Sequence, residues 1–282
     1  MRRSLLALAA VSLALSLVAC GGVEQALDPV AEAADRSADA GSVRIELDAS
    51  FAAGGTSGAV SAEGVFDDEK GELTIDASGL TSALNLPSEL GSFDGQVKVL
   101  TATEDGHHVV FVGMPTLASL IPGGKAWIKA DVEKLAEASG KDLDELLDLS
   151  GQSPQQMLSL LSRAGTVVEI GAETIDGDAS THYRANVDLA KALAQRGGRH
   201  AAIDELLAKG VSTELPIDVW IGDDDGLVRR VKFAYDATVQ GERVSAGLTM
   251  TLSDWGSDVS IDVPSSDEVF DVTPLLGSLR TS

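Results

Sequence analysis

Four histidines, one cysteine and 44 acidic residues are the side chains from which this 282-residue chain could build a reactive centre. None falls into a spacing that nucleophilic or metal catalysis requires. No Ser sits in a G-x-S-x-G elbow, no Ser stands three residues before a Lys, and no H-E-x-x-H run is present. Gly124-Lys125 and Gly140-Lys141 are followed by Ala126 and Asp142, so neither completes a phosphate-cradling loop. Asp223-Asp224-Asp225-Gly226 has the composition of a calcium loop. Placing Gly226 at the sixth position puts Ile221 first and Lys232 twelfth, where carboxylates are needed. A solvated hairpin turn is the expected role. His107 and His108 are adjacent in a strand-like run and would project to opposite faces, a poor geometry for one shared ion. His182 and His200 have no Cys, His or acid at a recognisable ligand spacing. The expectation is a non-catalytic chain with no metal and no cofactor.

The single cysteine has a different chemistry. Arg2 and Arg3 precede an apolar run from Leu5 to Ala19, which ends in Leu17-Val18-Ala19-Cys20-Gly21. As a helix the run would reach only ~22 Å, short of the ~30 Å hydrocarbon core, so it reads as a signal peptide. Its end resembles the lipobox of bacterial lipoproteins, in which the chain is cut before the Cys and the sulfur receives a diacylglycerol. Residues 1–19 are thus expected to be removed, residues 20–28 to form a lipidated tether, and residues 29–282 to fold as one domain. The implied location is the extracytoplasmic face of the cell membrane, with Cys20 as the lipid anchor. The formal charge of −23 argues against nucleic acid as a partner, because phosphate neutralisation by Lys and Arg supplies most of that affinity.

The elements that would carry a binding site follow from hydrophobic period. Val43, Ile45, Leu47, Ala49 and Phe51 alternate with Arg44, Glu46, Asp48 and Ser50. Similar rows occur at Leu73–Ala77, Leu215–Ile221, Val231–Val239 and Val244–Leu252, with a short last one at Val259, Ile261 and Val263. Such alternation is the mark of strands with one face covered and one wet, which favours antiparallel pairing. Asp94-Gly95, Asp105-Gly106, Asp176-Gly177 and Asp225-Gly226 supply the positive φ of tight turns. Ten to twelve strands are expected, in blocks at about 43–130 and 166–263. Between them the period becomes helical. Ser153-Pro154-Gln155-Gln156 is a capping-box start, followed by a stripe of Met157, Leu158, Leu160, Leu161 and Ala164. Residues 131–148 and 189–209 carry further helical patches, and Pro29 to Ala40 reads as a short Ala-rich helix.

The stretch from Ser153 to Asp236 carries a resemblance. The Pro-started helix ends at Gly165 and is followed by Val168-Glu169-Ile170-Gly171, Ile175-Asp176-Gly177, Thr181-His182-Tyr183 and Val187-Asp188-Leu189. Leu215-Pro216-Ile217-Asp218-Val219-Trp220-Ile221 and Gly226-Leu227-Val228-Arg229-Arg230-Val231 complete it. This is similar to actinobacterial lipoproteins of the LppX/LprG type, whose fold is related to the LolA/LolB carriers. The resemblance implies an α+β fold, a strongly curved antiparallel half-barrel with helices packed on its concave apolar face. It also implies an apolar cavity that binds the acyl chains of a lipid or glycolipid and assists their transfer. It transfers no residue-level ligand contact.

From the alternating rows, the expected cavity walls are Leu73, Ile75, Val97, Val99, Val219, Val231, Phe233, Leu248 and Met250, with Met157, Leu158 and Leu161 on the covering helices. Periodicity reports burial and leaves open whether the face is a cavity or a filled core. It also leaves open two other classes of function, an envelope scaffold or sensor that binds a protein partner and a hydrolase whose catalytic groups are scattered along the chain.

Overall fold

Alternating side chains oblige each strand to present one apolar row, and edge-to-edge pairing of the strands aligns these rows into a face that another layer must cover. In the computed structural model, which describes residues 28–81, 94–139, 166–188, 214–239 and 242–276, they form one twelve-stranded open sheet. The first block supplies β1 (Val43–Ala53), β2 (Thr56–Phe66), β3 (Gly71–Asp76), β4 (Gln96–Glu104), β5 (His107–Gly113) and β6 (Trp127–Asp131). The second supplies β7 (Thr166–Ile175), β8 (Asp178–Asp188), β9 (Glu214–Gly222), β10 (Val228–Val239) and β11 (Glu242–Ser253), and β12 is the short Val269–Asp271. The spatial order is β12-β6-β5-β4-β3-β2-β1-β11-β10-β9-β8-β7. Each block is a meander of sequential neighbours, and the β1–β11 ladder joins the two. With its edges at β12 and β7 left apart, the sheet is a half-barrel and not a closed one.

Tight turns set the local registers. Asp105-Gly106 (φ 50° and 81°) closes β4 on β5, and Asp176-Gly177 (φ 53° and 102°) closes β7 on β8. Both are positive at the two central positions, as a two-residue hairpin requires. Asp225-Gly226 lies in the β9–β10 turn as expected. Asp94-Gly95 instead opens β4, where Asp94 accepts the Gln96 N–H at 3.0 Å.

Helix α1 (Pro29–Ala38) starts where its sequence says it should. Asp28 accepts from the N–H groups of Val30 and Ala31, and Pro29 occupies the first turn. Its buried face of Val30, Ala33 and Ala34 packs on Val43, Ile45, Phe66, Val219, Ile221, Val228, Met250 and Leu252. Ser37, fully buried beside them, accepts the Val228 N–H at 2.9 Å and so ties the helix to the first residue of β10. Helix α2 (Ser78–Thr81) is a single turn, α3 (Val132–Ser139) leads out of β6, and α4 (Thr273–Leu276) follows β12. The expected capped helix at 153–165 and the patch at 189–209 lie outside the described residues. None of the described helices is long and apolar enough to cross a membrane.

Three expectations are corrected. Residues 259–263 form no ladder. They run as an extended strap whose Ile261 is buried against Leu100, Ala102, Val109 and Phe111. The last strand is β12, and it pairs parallel to β6 while the other ladders are antiparallel. The sheet is also not wet on one side throughout. Leu100 and Phe111, each 1% exposed, lie on the face opposite Val99 and Val112, so β4 and β5 carry apolar residues on both faces. The unbroken run Val109-Val110-Phe111-Val112 is the sequence signal of such a strand.

Candidate functional site

The ladders bring the expected wall residues together. Val97, Ile75, Ala62, Leu47, Met250, Val231 and Val219 are successive cross-strand partners, a single row across seven strands. Val99 and Leu73 pair in the next row, which continues through Gly64 and Ile45 to Leu252. Leu248 and Phe233 pair in the row on the other side, which runs on to Ile217. All nine strand residues therefore share one face. Met157, Leu158 and Leu161, with Cys20, lie outside the described residues.

Burial along this face is graded. Under α1, Val43 is 0% and Ile45 5% exposed, Leu47 and Ala49 are half-buried, and Phe51 at the far end of the same strand is 41% exposed. Val219 and Met250 are buried, whereas Leu73, Ile75, Val97, Val99, Val231, Phe233 and Leu248 are only half-buried. Helix α1 covers one end of this face, and the row residues beyond it are more exposed than those beneath it.

The opposite face of β1–β3 is chemically different. Glu46 and Glu63 are direct cross-strand partners, and with Asp48, Ser61, Thr74, Asp76 and Gln96 they line a groove of about 330 Å³. This groove is polar and sits on the far side of the sheet from the expected cavity. Like charges directly opposite each other work against the ladder by a few tenths of a kcal/mol, up to ~1.

Sequence reasoning missed the environment of His182. Its Nδ1 lies 2.9 Å from Glu173 Oε1 and its Nε2 2.9 Å from Asp218 Oδ1. Both are hydrogen bonds together only for the imidazolium, which donates at each nitrogen. The ring stacks on Trp220 at 4.3 Å, and the Trp220 Nε1–H donates to Glu173 Oε2 at 2.9 Å. The hydrogen bond from Trp220, with a further one from His182, holds the Glu173 carboxyl below the ordinary range. The signal was present in the Asp176-Gly177 turn, whose register makes Glu173 the partner of Ser180 and hence a diagonal neighbour of His182.

The Asp223–Gly226 turn is held by protein groups. Thr181 donates to Asp223 at 2.7 Å, and Asp225 accepts from Arg229 Nη2 at 2.6 Å and from the Leu227 N–H at 3.0 Å. Burial alone would raise the Asp225 carboxyl, but these donors more than offset it and hold it below the ordinary range. A carboxyl lowered in the folded state stabilises above its unfolded value, about 3.9. That contribution is lost as pH falls through the lower folded value. Urea unfolding at pH 7 and at pH 3 is therefore expected to show a smaller acid loss for Asp225→Asn than for the wild type. Equal losses would rule out the pairing as the cause.

The described residues thus show an open antiparallel sheet with one long apolar face, covered by α1 at one end. No family model matches the chain. It is similar to an uncharacterised 31.2 kDa protein of Streptomyces griseus, 28% identical over 217 residues, or 74% of this chain and 67% of that one. A Streptomyces coelicolor chain described as a lipoprotein is 27% identical over 161 residues, 55% of this chain and less than half (46%) of that relative. Among solved structures it is similar to lipoprotein LppX of Mycobacterium tuberculosis, with TM-score 0.42, 16% identity and coverage of 83% and 100% of the two chains. LprF of Mycobacterium bovis gives TM-score 0.46 and 17% identity, over 86% and 98%.

Proposed function

We propose that the protein is a membrane-anchored envelope lipoprotein that holds the acyl chains of a lipid or glycolipid on the apolar sheet face and assists their transfer. Residues 1–19 are the cleaved signal, Cys20 carries the diacylglycerol, residues 20–28 are the tether, and residues 29–282 are the binding domain. The observation that carries this reading is the gradient along β1, from Val43 sealed under α1 to Phe51 at 41% exposure, on a face of registered Val, Ile, Leu and Met. Burying a 16-carbon chain is worth ~12 kcal/mol relative to water, at ~0.8 kcal/mol per CH₂. Exchange from a bilayer is nearly apolar to apolar, so no catalytic group is required.

Native mass spectrometry of protein extracted from its own membrane is expected to show a bound lipid, and a lipid-free wild type would overturn the reading. Val99→Trp refines the test. In an open trough it should reduce lipid occupancy with little change in Tm. In a filled core the same overpacking should cost ~1–3 kcal/mol. One observation favours a second reading, a scaffold that binds a basic protein partner: the acidic groove of Glu46, Asp48, Glu63 and Asp76.

A further inference from the structure

The end of the sheet where β5 begins and β6 runs into α3 gathers three metal-ligating side chains from two chain segments. His107 opens β5, Asp131 closes β6, and Glu133 lies in the first turn of α3. One ligand atom from each lies within 4.8 Å of the others. His107 Nδ1 is 3.2 Å from Asp131 Oδ2 and 3.9 Å from Glu133 Oε2. Zinc bonds of ~2.0–2.1 Å at tetrahedral angles place neighbouring ligand atoms ~3.3 Å apart. The His107–Asp131 spacing already matches such an edge, and the His107–Glu133 spacing exceeds it by ~0.6 Å.

Both carboxylates are oriented by groups behind them. Asp131 Oδ1 accepts the Lys134 N–H at 2.9 Å as the cap of α3, which leaves Oδ2 turned to His107. The Asp131 carboxylate is 9% exposed, and its own backbone N–H donates to Thr273 Oγ1 at 3.1 Å. Glu133 is gripped by His108: the ring Nδ1 is 2.7 Å from Oε1, and the backbone N–H is 3.1 Å from each oxygen. Although adjacent strand positions alternate in direction, both imidazoles reach the Glu133 carboxylate, His107 at Oε2 and His108 at Oε1. They share the site in different roles, His107 as a ligand and His108 as the group that orients one. Hydrogen-bonded ligating carboxylates of this kind are what metal sites use to fix geometry.

We propose that His107, Asp131 and Glu133 form a binding site for a divalent transition ion of the zinc type, with His108 as its orienting residue. An imidazole nitrogen with two carboxylates selects borderline ions such as Zn²⁺ over Ca²⁺, which prefers oxygen alone. The His107 side chain is about half exposed, at 47%, so the remaining coordination position opens to water. One group competes: Lys134 Nζ lies 3.3 Å from Asp131 Oδ2, on a side chain 56% exposed that is free to swing into solvent. The ion would clamp α3 to the first residue of β5.

The test is titration of the full chain, purified without a polyhistidine tag, with ZnCl₂ against a chromophoric chelator. One equivalent is expected to bind, with more than tenfold weaker binding in His107→Ala. Asp131→Asn, which keeps a good helix cap, should weaken it similarly. Lys134→Ala should bind more tightly, a result that a purely structural ion-pair cluster would not produce. Zinc should raise the Tm of the wild type and not that of His107→Ala. Wild-type affinity equal to that of His107→Ala, or preference for Ca²⁺ over Zn²⁺, would overturn the site.

Discussion

Exported behind an ordinary cleavable signal so that the mature chain begins after Cys20, the protein is expected to leave the membrane fraction entirely. The expectation rests on Leu17-Val18-Ala19-Cys20. A single acyl chain gives only marginal, reversible membrane binding, whereas two give stable attachment. On the proposed function a diacylglycerol on Cys20 would supply two at once, so its loss would remove the attachment. The wild-type chain should incorporate labelled fatty acid, and a Cys20→Ala chain should not. Replacing the signal is necessary because the uncut Leu5–Ala19 run of a Cys20→Ala precursor could itself hold the chain at the membrane. Retention of the released, Cys20-free form in washed membranes would remove the anchor from the account.

Phe111→Ala is expected to be the most destabilising single change on the described sheet, at ~3–5 kcal/mol. The Phe111 side chain is 1% exposed, in a cluster with Leu100, Ala102, Val109 and Ile261, and Lys129 Nζ sits 5.6 Å from its ring centroid. Removing the ring takes away its transfer free energy and leaves a void between sheet and strap. A stability of ~5–15 kcal/mol is typical of folded domains, so the loss is a large part of the whole. Because Ile261 packs in the same cluster, Phe111→Ala and Ile261→Ala should be non-additive by ~0.5 kcal/mol or more. Denaturant unfolding checks both. A cost under ~1 kcal/mol for Phe111→Ala would mean that the strap does not close a core.

The contrast between this cluster and the apolar rows of the other face illustrates how far periodicity reaches. Alternation placed Leu73, Ile75, Val97, Val99, Val219, Val231, Phe233, Leu248 and Met250 on one face, because side-chain direction follows strand position alone. It could not distinguish Val219 and Met250, which are buried, from Val99 and Leu248, which are half-buried. That difference depends on where α1 lands, and α1 is set against β9 and β10 by contacts some 190 residues away, such as Ser37 with Val228.

From the amino-acid sequence alone come most of the strands, the Asp105-Gly106 and Asp176-Gly177 hairpins, the helix beginning at Pro29 and the lipobox-like Cys20, all read from a few neighbouring residues. Local sterics and capping are sufficient to specify them. Only the tertiary structure decides that β1 pairs with β11 and that residues 259–263 serve as a strap instead of a strand. The same holds for His107, Asp131 and Glu133, which meet at one sheet corner across some 25 residues of chain. Hairpin register carries through a tight turn, which is why Glu173 and His182 were readable in principle. It does not carry through long connections, where many closures cost nearly the same chain entropy and packing alone selects one.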